Sequence, residues 1–481
     1  MKQAHIWINN EERKKDNYQS VTDPGDFRRT VGQVAVGEVS DVEDCVQSAH
    51  DAFKTWKGVS LDQRISFLQK GASSLTKDLD ELAELVSSEN GMQISTTKAE
   101  LLLALDGIQN LIELARDYFT TPLIEDEESW VKVEKDPKGV IAGIVPWNAP
   151  IVLTMQKLVP AVLSGNTIVF KPSPFASLGT YEVIKRMAAP LPPGVINIIH
   201  GDGKVGSALT SHPHVRMVSF TGGGETAKHI MRGAADSLKN LHFELGGNDA
   251  AILLEDADIE ETAAAVIQSS FRKAGQYCFA TKRVYVPHSI YDSFFHEIVN
   301  HLKEVEVGHQ LNESATFGPM NNKQQFEHVK TLIQEAKAQG AEVITEGKKL
   351  QPELWEHGYY LLPTVVKDIS FDHRLVKEEQ FGPILPIVPY NDLEEAIEMA
   401  NSTEFGLGSS VWTNNEELGK DVAKQLQAGF TFINGIAQSR LGYKHMPFGG
   451  VKQSGMGREN SELVFEEYID HHAIHFHKER K

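Results

Sequence analysis

The chain has 481 residues, and at about 100 to 200 residues per domain this length allows about three domains. Its 66 acidic side chains outnumber the 47 lysines and arginines, which gives a formal net charge of −19 at pH 7. Such a surface repels nucleic-acid phosphates and anionic lipid. Hydrophobic residues at 41% and charged residues at 23% are typical of a folded globular protein. A peptide hormone and a lone binding module are excluded, and no nucleic-acid partner is expected.

Three features bear on the compartment. The first ten residues, MKQAHIWINN, lack the basic start, the apolar stretch and the cleavage site of a secretory signal. The most apolar region, residues 140–163, is interrupted by prolines, and a spanning helix needs about 20 apolar residues. The two cysteines, Cys45 and Cys278, are far apart, which argues against a disulfide framework. We therefore expect a cytoplasmic protein that does not associate with membranes.

The first hundred residues show helical signals. Ser40 with Glu43 and Ser60 with Gln63 fit the capping box that begins many helices. Apolar residues at helical spacing follow each pair. This segment is therefore predicted to be rich in amphipathic helices.

From residue 140 onwards, short apolar runs alternate with segments of helical length. Continuous apolar strands indicate a sheet that is covered on both faces, so the pattern predicts a Rossmann-like, doubly wound parallel sheet, followed by a second α/β domain. Ligands bind at the carboxyl edge of such sheets. The runs are VIAGIV at 140–145, TIVF at 167–170, VINII at 195–199, VRMVSF at 215–220, AAILL at 250–254, VYV at 284–286 and ILPIVPY at 384–390.

The tail alternates apolar and polar residues over 473–477. An isolated segment of this kind is typical of a strand that completes the sheet of another subunit. Four histidines lie here, but no carboxylate or cysteine completes a recognisable ligand set, so we expect a polar strand face and no metal site. They are His471, His472, His475 and His477.

A glycine motif, TGGGETA at 221–227, follows a predicted strand and precedes a predicted helix. Gly222, Gly224 and Ala227 satisfy G-x-G-x-x-A, whose backbone N–H groups suit a pyrophosphate. The alternative is an ordinary glycine turn. A Rossmann interpretation also requires an acidic residue about 20 positions later for the ribose, and Glu244 lies at that distance. Glu244 is also flanked by apolar residues, so a raised pKa and a role as general base fit equally well.

Cys278 lies in the segment AGQYCFATKR. Gly275 allows a close turn, and Lys273, Lys282 and Arg283 offer positive charge that could stabilise a thiolate. The alternative is an inert, buried thiol, because free cysteine is among the most buried residue types.

These motifs occur in one order along nearly the whole chain, and together the sequence resembles the aldehyde dehydrogenase superfamily. The segments that carry the resemblance are PWNAP at 146–150, FKPSP at 170–174, FTGGGE at 220–225, ELGGND at 244–249, GQYC at 275–278, EEQFGP at 378–383 and PFGGVKQSGMGRE at 447–459.

The resemblance implies oxidation of an aldehyde to a carboxylate. Cys278 would attack the carbonyl carbon, and the oxyanion of the thiohemiacetal would be held by the Asn148 amide and the Cys278 N–H. After hydride transfer to a nicotinamide, water activated by Glu244 would hydrolyse the thioester. Glu459 matches a carboxylate on the water route, or is a structural charge. The rival functions are acyl transfer to coenzyme A and a nucleotide-binding relative that has lost the reaction.

The resemblance also implies NAD or NADP as cofactor. Pro174 stands where many NAD-preferring relatives have a glutamate, and Gly223 stands where many have a serine, so both dinucleotides remain expected. The implied cofactor contacts are Trp147, Lys171, Gly222, Gly223, Glu379 and Phe381.

The implied organisation has three parts. Residues 1–118 and 138–246 would form the NAD(P)-binding domain, and residues 247–445 the catalytic domain. Residues 119–137 and 462–481 would form a small β oligomerisation arm of a homodimer or homotetramer.

The small-molecule aldehyde is less well defined by the sequence. Tyr277, Phe279 and Phe448 near the nucleophile favour an apolar or aromatic aldehyde. Arg440, Lys444 and His445 lie in the loop before PFGG, where they could recognise a carboxylate or remain solvated.

Overall fold

The computed structural model describes residues 1–436 and 442–477 of the chain. The prediction of a helix-rich start is wrong for the first 35 residues, which form strands, and correct for residues 39–118. The missed strands are β1 (Lys2–Ala4), β2 (Ile6–Ile8), β3 (Glu11–Arg13), β4 (Tyr18–Asp23) and β5 (Asp26–Ala35). Strands β1 to β4 are short or lie at sheet edges, and β5, the central strand of a three-stranded sheet, carries charged residues in place of a clear apolar pattern. The helices that follow are α1 (Val39–Trp56), α2 (Leu61–Lys77), α3 (Leu79–Asn90) and α4 (Ile94–Tyr118).

Helix α1 begins two residues earlier than its predicted capping box. Asp41 Oδ2 accepts the Glu38 N–H at 2.8 Å and pairs with Lys15 Nζ at 3.0 Å, so Glu38 and Asp41 form the box instead of Ser40 and Glu43. The second predicted box is correct, since Ser60 caps helix α2 with Gln63.

The first large sheet has the predicted doubly wound architecture. Its parallel strands run in the order β12-β11-β8-β9-β10, and antiparallel strands β22, β2 and β3 extend it at the edges. The order reverses between β8 and β11, and a crevice for ligands opens at the carboxyl ends of strands at such a point. The elements are β8 (Val140–Val145), α5 (Pro150–Leu163), β9 (Thr167–Pro172), α6 (Ser177–Ala188), β10 (Ile196–Ile198), α7 (Gly203–Ser211), β11 (Val215–Thr221), α8 (Gly224–Ala234), β12 (Asn240–Glu244) and β22 (Gly455–Met456).

Alternate residues of these strands bury opposite faces of the sheet. Ile141 and Ile168 pack in one apolar cluster with helices α2 to α6. Val140, Ala142 and Val169 pack in another with α1, α7 and α8. Helices on both faces explain why the strands are continuously apolar.

The second large sheet follows the same plan. Parallel strands run in the order β18-β19-β14-β13-β20-β21, with antiparallel β16 at one edge, and β15 pairs with β17 beside it. The strands are β13 (Asp249–Leu253), β14 (Thr281–Pro287), β15 (Glu306–Val307), β16 (Glu342–Thr345), β17 (Lys348–Lys349), β18 (Thr364–Lys367), β19 (Ile384–Tyr390), β20 (Gly408–Trp412) and β21 (Phe430–Ile433). The helices are α9 (Ile259–Phe271), α10 (Tyr291–Leu302), α11 (Lys323–Ala338), α12 (Arg374–Lys377), α13 (Leu393–Asn401) and α14 (Glu416–Gln425). Helix α15 (Leu463–Tyr468) packs instead with α5 in the core of the first sheet.

The tail strand lies at the edge of a small sheet of its own chain, and its pairing with another subunit's sheet stays a prediction. Strand β23 (Ile469–His477) pairs antiparallel with all of β7 (Ser129–Pro137), and β6 (Ile124–Glu125) pairs with the other edge of β7. Side chains from 470 to 477 are exposed. An oligomerisation arm and the domain boundaries stay predictions.

No helix within residues 1–436 and 442–477 is both long and apolar enough to cross a bilayer. In the same residues, no group of three or more histidine, cysteine or acidic side chains is arranged to hold a metal ion.

Candidate active site

The sequence-predicted site residues meet in a cleft between the two large sheets. Asn148 follows β8, and Glu244 ends β12, both at the carboxyl edge of the first sheet. Cys278 precedes β14, and Glu379 and Phe381 precede β19, at the amino edge of the second sheet. Strand ends that face each other therefore gather side chains from distant parts of the chain.

The loop before Cys278 has an unusual backbone. Lys273 and Ala274 both have φ of 54°, and Gly275 has φ of 71°, which is the left-handed region. A side chain on Gly275 would also collide with the carbonyl oxygen of Gly382. Gly275 is therefore required for the turn that presents the thiol, as the sequence indicated.

Burial dominates the electrostatics of the thiol. It raises the pKa of Cys278 to about 12, and Lys282 opposes this effect. Glu244, Glu379 and Asp249 raise the pKa further. The free protein therefore holds a protonated thiol at neutral pH, and attack on a carbonyl requires a base.

Two of the three cations that the sequence suggested for the thiolate have other partners. Lys273 Nζ lies 3.2 Å from Glu100 Oε2. Arg283 donates to the carbonyl oxygens of Asn248 at 2.8 Å and Met399 at 2.9 Å. Lys282 is paired as well, with Glu379, but it lowers the pKa of Cys278, so the structure supports the prediction for Lys282.

Glu244 is the most electrostatically strained carboxylate of the cleft. It is 2% exposed, and neither of its carboxylate oxygens has a hydrogen-bond partner among the described residues. Its pKa lies well above the ordinary value because of burial first and Glu459 second, while Lys157 and Arg458 oppose the shift. A carboxylate in this environment is a stronger base than an exposed one.

Beside Glu244 lies a buried ion pair that sequence reasoning missed. Lys157 Nζ lies 2.9 Å from Glu459 Oε1, and both side chains are fully buried. Lys157 lies on α5, and Glu459 follows it in the chain by 302 residues. Glu459 is thus paired, and no local pattern announces a contact over that separation.

A second missed network supports Asn148. Glu100 Oε1 on α4 accepts the Ile151 N–H of α5 at 2.9 Å, and its other oxygen binds Lys273. Lys273 Nζ also donates to the Asn148 carbonyl oxygen at 3.3 Å. These contacts fix the Asn148 turn against the loop that leads to Cys278.

Cys278 and Asn148 share the lining of one cavity of about 180 Å³. The rest of its wall is largely apolar, with Leu103, Leu111 and Leu114 from α4 and the aromatic residues Tyr277, Phe279, Tyr443 and Phe448. The Phe279 and Phe448 rings lie 5.4 Å apart in a T-shaped arrangement. The cavity therefore offers an apolar, aromatic surface beside the thiol.

The glycine motif forms the start of helix α8. The Gly222 N–H donates to the Glu244 carbonyl oxygen at 3.0 Å, and Gly223 caps the helix without a side chain. Next to them, Thr221 Oγ1 is buried without a hydrogen-bond partner among the described residues. Free backbone donors and an unpaired hydroxyl fit a phosphate group.

Lys171 lies near the end of strand β9 and is 7% exposed. Burial lowers the pKa of Lys171 to about 8, and the Asp202 carboxylate opposes this effect. A desolvated ammonium of this kind suits a ligand that brings several hydrogen-bond acceptors.

Glu379, Trp147 and Phe381 form the side of the cleft nearest Cys278. Glu379 Oε1 accepts the Gly247 N–H at 3.1 Å, and a side chain on Gly246 would collide with the Glu379 carboxylate. The Trp147 and Phe381 rings meet edge to face at 5.5 Å. These contacts join the loop before β19 to residues that follow β8 and β12. The cofactor roles of these residues stay predictions.

The comparisons with known proteins agree with this geometry. The sequence model of the aldehyde dehydrogenase family matches residues 7–474. The chain belongs to the aldehyde dehydrogenase family. The resemblance and the α/β fold predicted from the sequence are both confirmed.

Solved structures of family members superpose over nearly the whole chain. Betaine aldehyde dehydrogenase from Staphylococcus aureus in complex with NAD+ is 29% identical, with a TM-score of 0.94, and the match covers 99% of this chain and 96% of that one. An NADP-dependent enzyme from E. coli is 29% identical, with a TM-score of 0.93 and coverage of 99% and 98%. A 3,6-anhydro-L-galactose dehydrogenase in complex with NADP is 30% identical, with a TM-score of 0.93 and coverage of 98% and 100%.

The buried Lys157–Glu459 pair generates a stability prediction. Lys157→Met leaves the Glu459 carboxylate buried without a counter-charge beside Glu244, and loss of one partner of a buried pair costs about 3–5 kcal/mol. Unfolding in guanidinium should show this loss in the free energy of unfolding. The double variant Lys157→Met, Glu459→Gln should recover most of the lost stability. Equal stability of Lys157→Met and the wild type would show that the pair does not stabilise the fold.

Proposed function

We propose that this protein oxidises an aldehyde to the carboxylate with NAD or NADP, through a Cys278 thiohemiacetal and thioester. The observation that carries the proposal is the grouping of one thiol, one amide and one unpaired carboxylate. Cys278 and Asn148 line one cavity, and Glu244 is close enough to raise the pKa of Cys278. These are the groups that nucleophilic attack, oxyanion binding and proton transfer require.

In this proposal Glu244 handles the protons. Its raised pKa allows it to accept the Cys278 proton when the thiol attacks the carbonyl, and later a proton from the water that attacks the thioester. The Asn148 amide and the Cys278 N–H donate to the oxyanion in both tetrahedral states. The buried pair of Lys157 and Glu459 offers a route along which the proton leaves Glu244.

The cofactor residues fit a dinucleotide. Thr221, Gly222 and Gly223 would bind the pyrophosphate, Lys171 the adenosine ribose, and Glu379 the nicotinamide ribose. Trp147 and Phe381 would enclose the nicotinamide side of the cleft. The bound nicotinamide supplies the acceptor for the hydride that the substrate carbon loses.

The central test uses Cys278→Ser and Glu244→Gln. Cys278→Ser should lower NADH or NADPH formation from aldehyde at least about a thousandfold while cofactor binding is kept. Glu244→Gln should slow the burst of reduced cofactor as well as steady turnover, by about a hundredfold or more, because Glu244 accepts the proton of the thiol and later that of the water. A burst at the wild-type rate followed by slow turnover would restrict Glu244 to the hydrolysis. Stopped-flow absorbance separates the two phases.

The same assay run with and without coenzyme A tests the rival functions. A wild-type rate that is independent of coenzyme A supports hydrolysis, whereas a rate that requires it supports acyl transfer. Absence of turnover with any aldehyde, together with intact dinucleotide binding, would indicate the non-catalytic relative.

The cavity wall supports an apolar, preferably aromatic, aldehyde as substrate. The Phe430 and Phe448 rings stack at 5.2 Å and both contact Phe279. Aromatic pairs of this kind contribute about 0.5–1.5 kcal/mol each beyond their burial.

Two of the cations in the cavity wall have acidic partners. Lys273 binds Glu100, and Lys444 lies 3.5 Å from Glu113, whereas Arg272 lines the cavity at an exposed position. Among the loop residues suggested for carboxylate recognition, His445 is exposed, and Arg440 lies outside the described residues. Carboxylate recognition would therefore rest on Arg272.

A substrate panel checks this proposal. The kcat/KM for an aromatic aldehyde should exceed that for an aliphatic aldehyde of equal length. Phe448→Ala should reduce this preference, the ratio of the two kcat/KM values, by about threefold to tenfold. Phe432→Ala is the matched control, because Phe432 contacts Phe430 outside the cavity lining. A carboxylate-bearing aldehyde that outperforms both would contradict the proposal and assign specificity to Arg272.

We further propose that two opposite charges set the choice of dinucleotide. A cavity of about 640 Å³ is lined by Pro174, Asp202 and Lys204. The Asp202 carboxylate caps helix α7 and acts on Lys171. Asp202 would repel a ribose 2′-phosphate, and Lys204 would attract it.

The two charges predict shifts of opposite sign. Asp202→Asn should raise affinity for 2′,5′-ADP relative to ADP several-fold, and Lys204→Gln should lower it by a similar factor. Calorimetry measures both ratios without turnover, and Glu417→Gln on the exposed surface of helix α14 serves as control. Unchanged ratios in both variants would show that the 2′-phosphate binds elsewhere.

A further inference from the structure

A buried lysine behind the thiol has contacts that the mechanism above does not use. Lys282 is 2% exposed, and its Nζ donates to the carbonyl oxygens of Tyr277 at 3.0 Å and Cys278 at 2.9 Å. The same atom lies 3.3 Å from Glu379 Oε1. These contacts satisfy the three donors of the ammonium, so its position is fixed.

The bond to Tyr277 has a specific consequence for the next residue. The Tyr277 carbonyl and the Cys278 N–H belong to the same planar peptide unit. A cation on the carbonyl oxygen orients this unit and draws electron density from its N–H, because hydrogen bonds in series polarise one another. The Cys278 N–H is the backbone donor that the proposed reaction places on the oxyanion.

We propose that Lys282 is a positioning residue that acts through the Tyr277–Cys278 peptide, strengthening the oxyanion donor and stabilising the thiolate. This inference rests on the proposed function for its oxyanion part. Lys282 therefore acts on the reacting atoms through its neighbours and does not touch the substrate.

The charges around the thiol support this role. Glu244 from the first sheet, Glu379 from the loop before β19 and Asp249 from the start of β13 all raise the pKa of Cys278, and Lys282 lowers it. Lys282 also lowers the pKa of Glu379 and Asp249, both of which burial raises. Without its ammonium, the three carboxyl groups that raise the pKa of Cys278 would lose the cation that opposes them at the thiol.

The matched control is a lysine that binds two backbone carbonyls in the same way but lies away from the thiol. Lys239 is 8% exposed, and its Nζ donates to the carbonyl oxygens of His212 at 2.7 Å and Val215 at 2.8 Å. It lies just before β12, at the opposite end of this strand from Glu244. Lys239→Met removes the same number of carbonyl contacts and is the matched control for Lys282→Met.

The test is the rate of iodoacetamide alkylation of Cys278 between pH 7 and 10 in the full-length protein, followed by intact mass. Lys282→Met should slow alkylation at each pH by about threefold to tenfold, which corresponds to an upward pKa shift of about one unit. Lys282→Arg keeps the charge, so its alkylation rate should stay closer to that of the wild type. Lys239→Met should be alkylated at the wild-type rate. Circular dichroism verifies folding, and Lys282→Gln replaces Lys282→Met if the latter does not fold.

Steady-state kinetics test the oxyanion part. Lys282→Met should lower kcat and kcat/KM by the same factor, because the lost interaction exists only in the transition state. An unchanged alkylation profile in Lys282→Met and Lys282→Gln would overturn the inference. Absence of aldehyde oxidation in the wild type, with the expected alkylation profiles, would refute the proposed function and leave the effect of Lys282 on the thiol established.

Discussion

The removal of ionisable groups from water is the constraint on which the cleft depends. Burial raises the pKa of both Cys278 and Glu244, so each group holds its proton more tightly than it would in solvent. A buried charge is tolerated only with a partner, and Lys282 and Lys157 are the cations nearest to these groups. Reactivity is therefore balanced between carboxylates that favour the neutral thiol and ammonium groups that favour the thiolate.

The topology creates this environment. The strand order of the first sheet reverses between β8 and β11, and the ends of these strands carry the Asn148 turn and the glycine motif. The amino edge of the second sheet closes the cleft with the loops before β14 and β19. Each loop is anchored by a buried parallel strand, which limits the movement of the side chains that the loop presents.

The sequence predicted the parts of the fold that repeat a local pattern. Buried parallel strands are continuously apolar, so the strands from Val140 and Ile196 could be recognised by composition. The strand Asp26–Ala35 lies at the centre of a small sheet but carries charged residues, so composition did not reveal it. The reactive residues near strand ends, including Cys278 and Glu244, could also be recognised from the sequence. Their partners could not, because a contact such as Lys157 with Glu459 joins segments 302 residues apart and depends on packing.

The elements that would set the substrate range differ from those that would perform the reaction. The cavity wall comes largely from helices α4 and α5 and from the segment containing Tyr443 and Phe448, whereas Asn148, Glu244 and Cys278 stand near strand ends of the sheets. A change in a wall side chain alters the shape of the cavity without moving a strand end. Because Lys157, Glu459 and Lys282 are not among the residues that line the cavity, the proton chemistry can be kept while the accepted aldehyde changes.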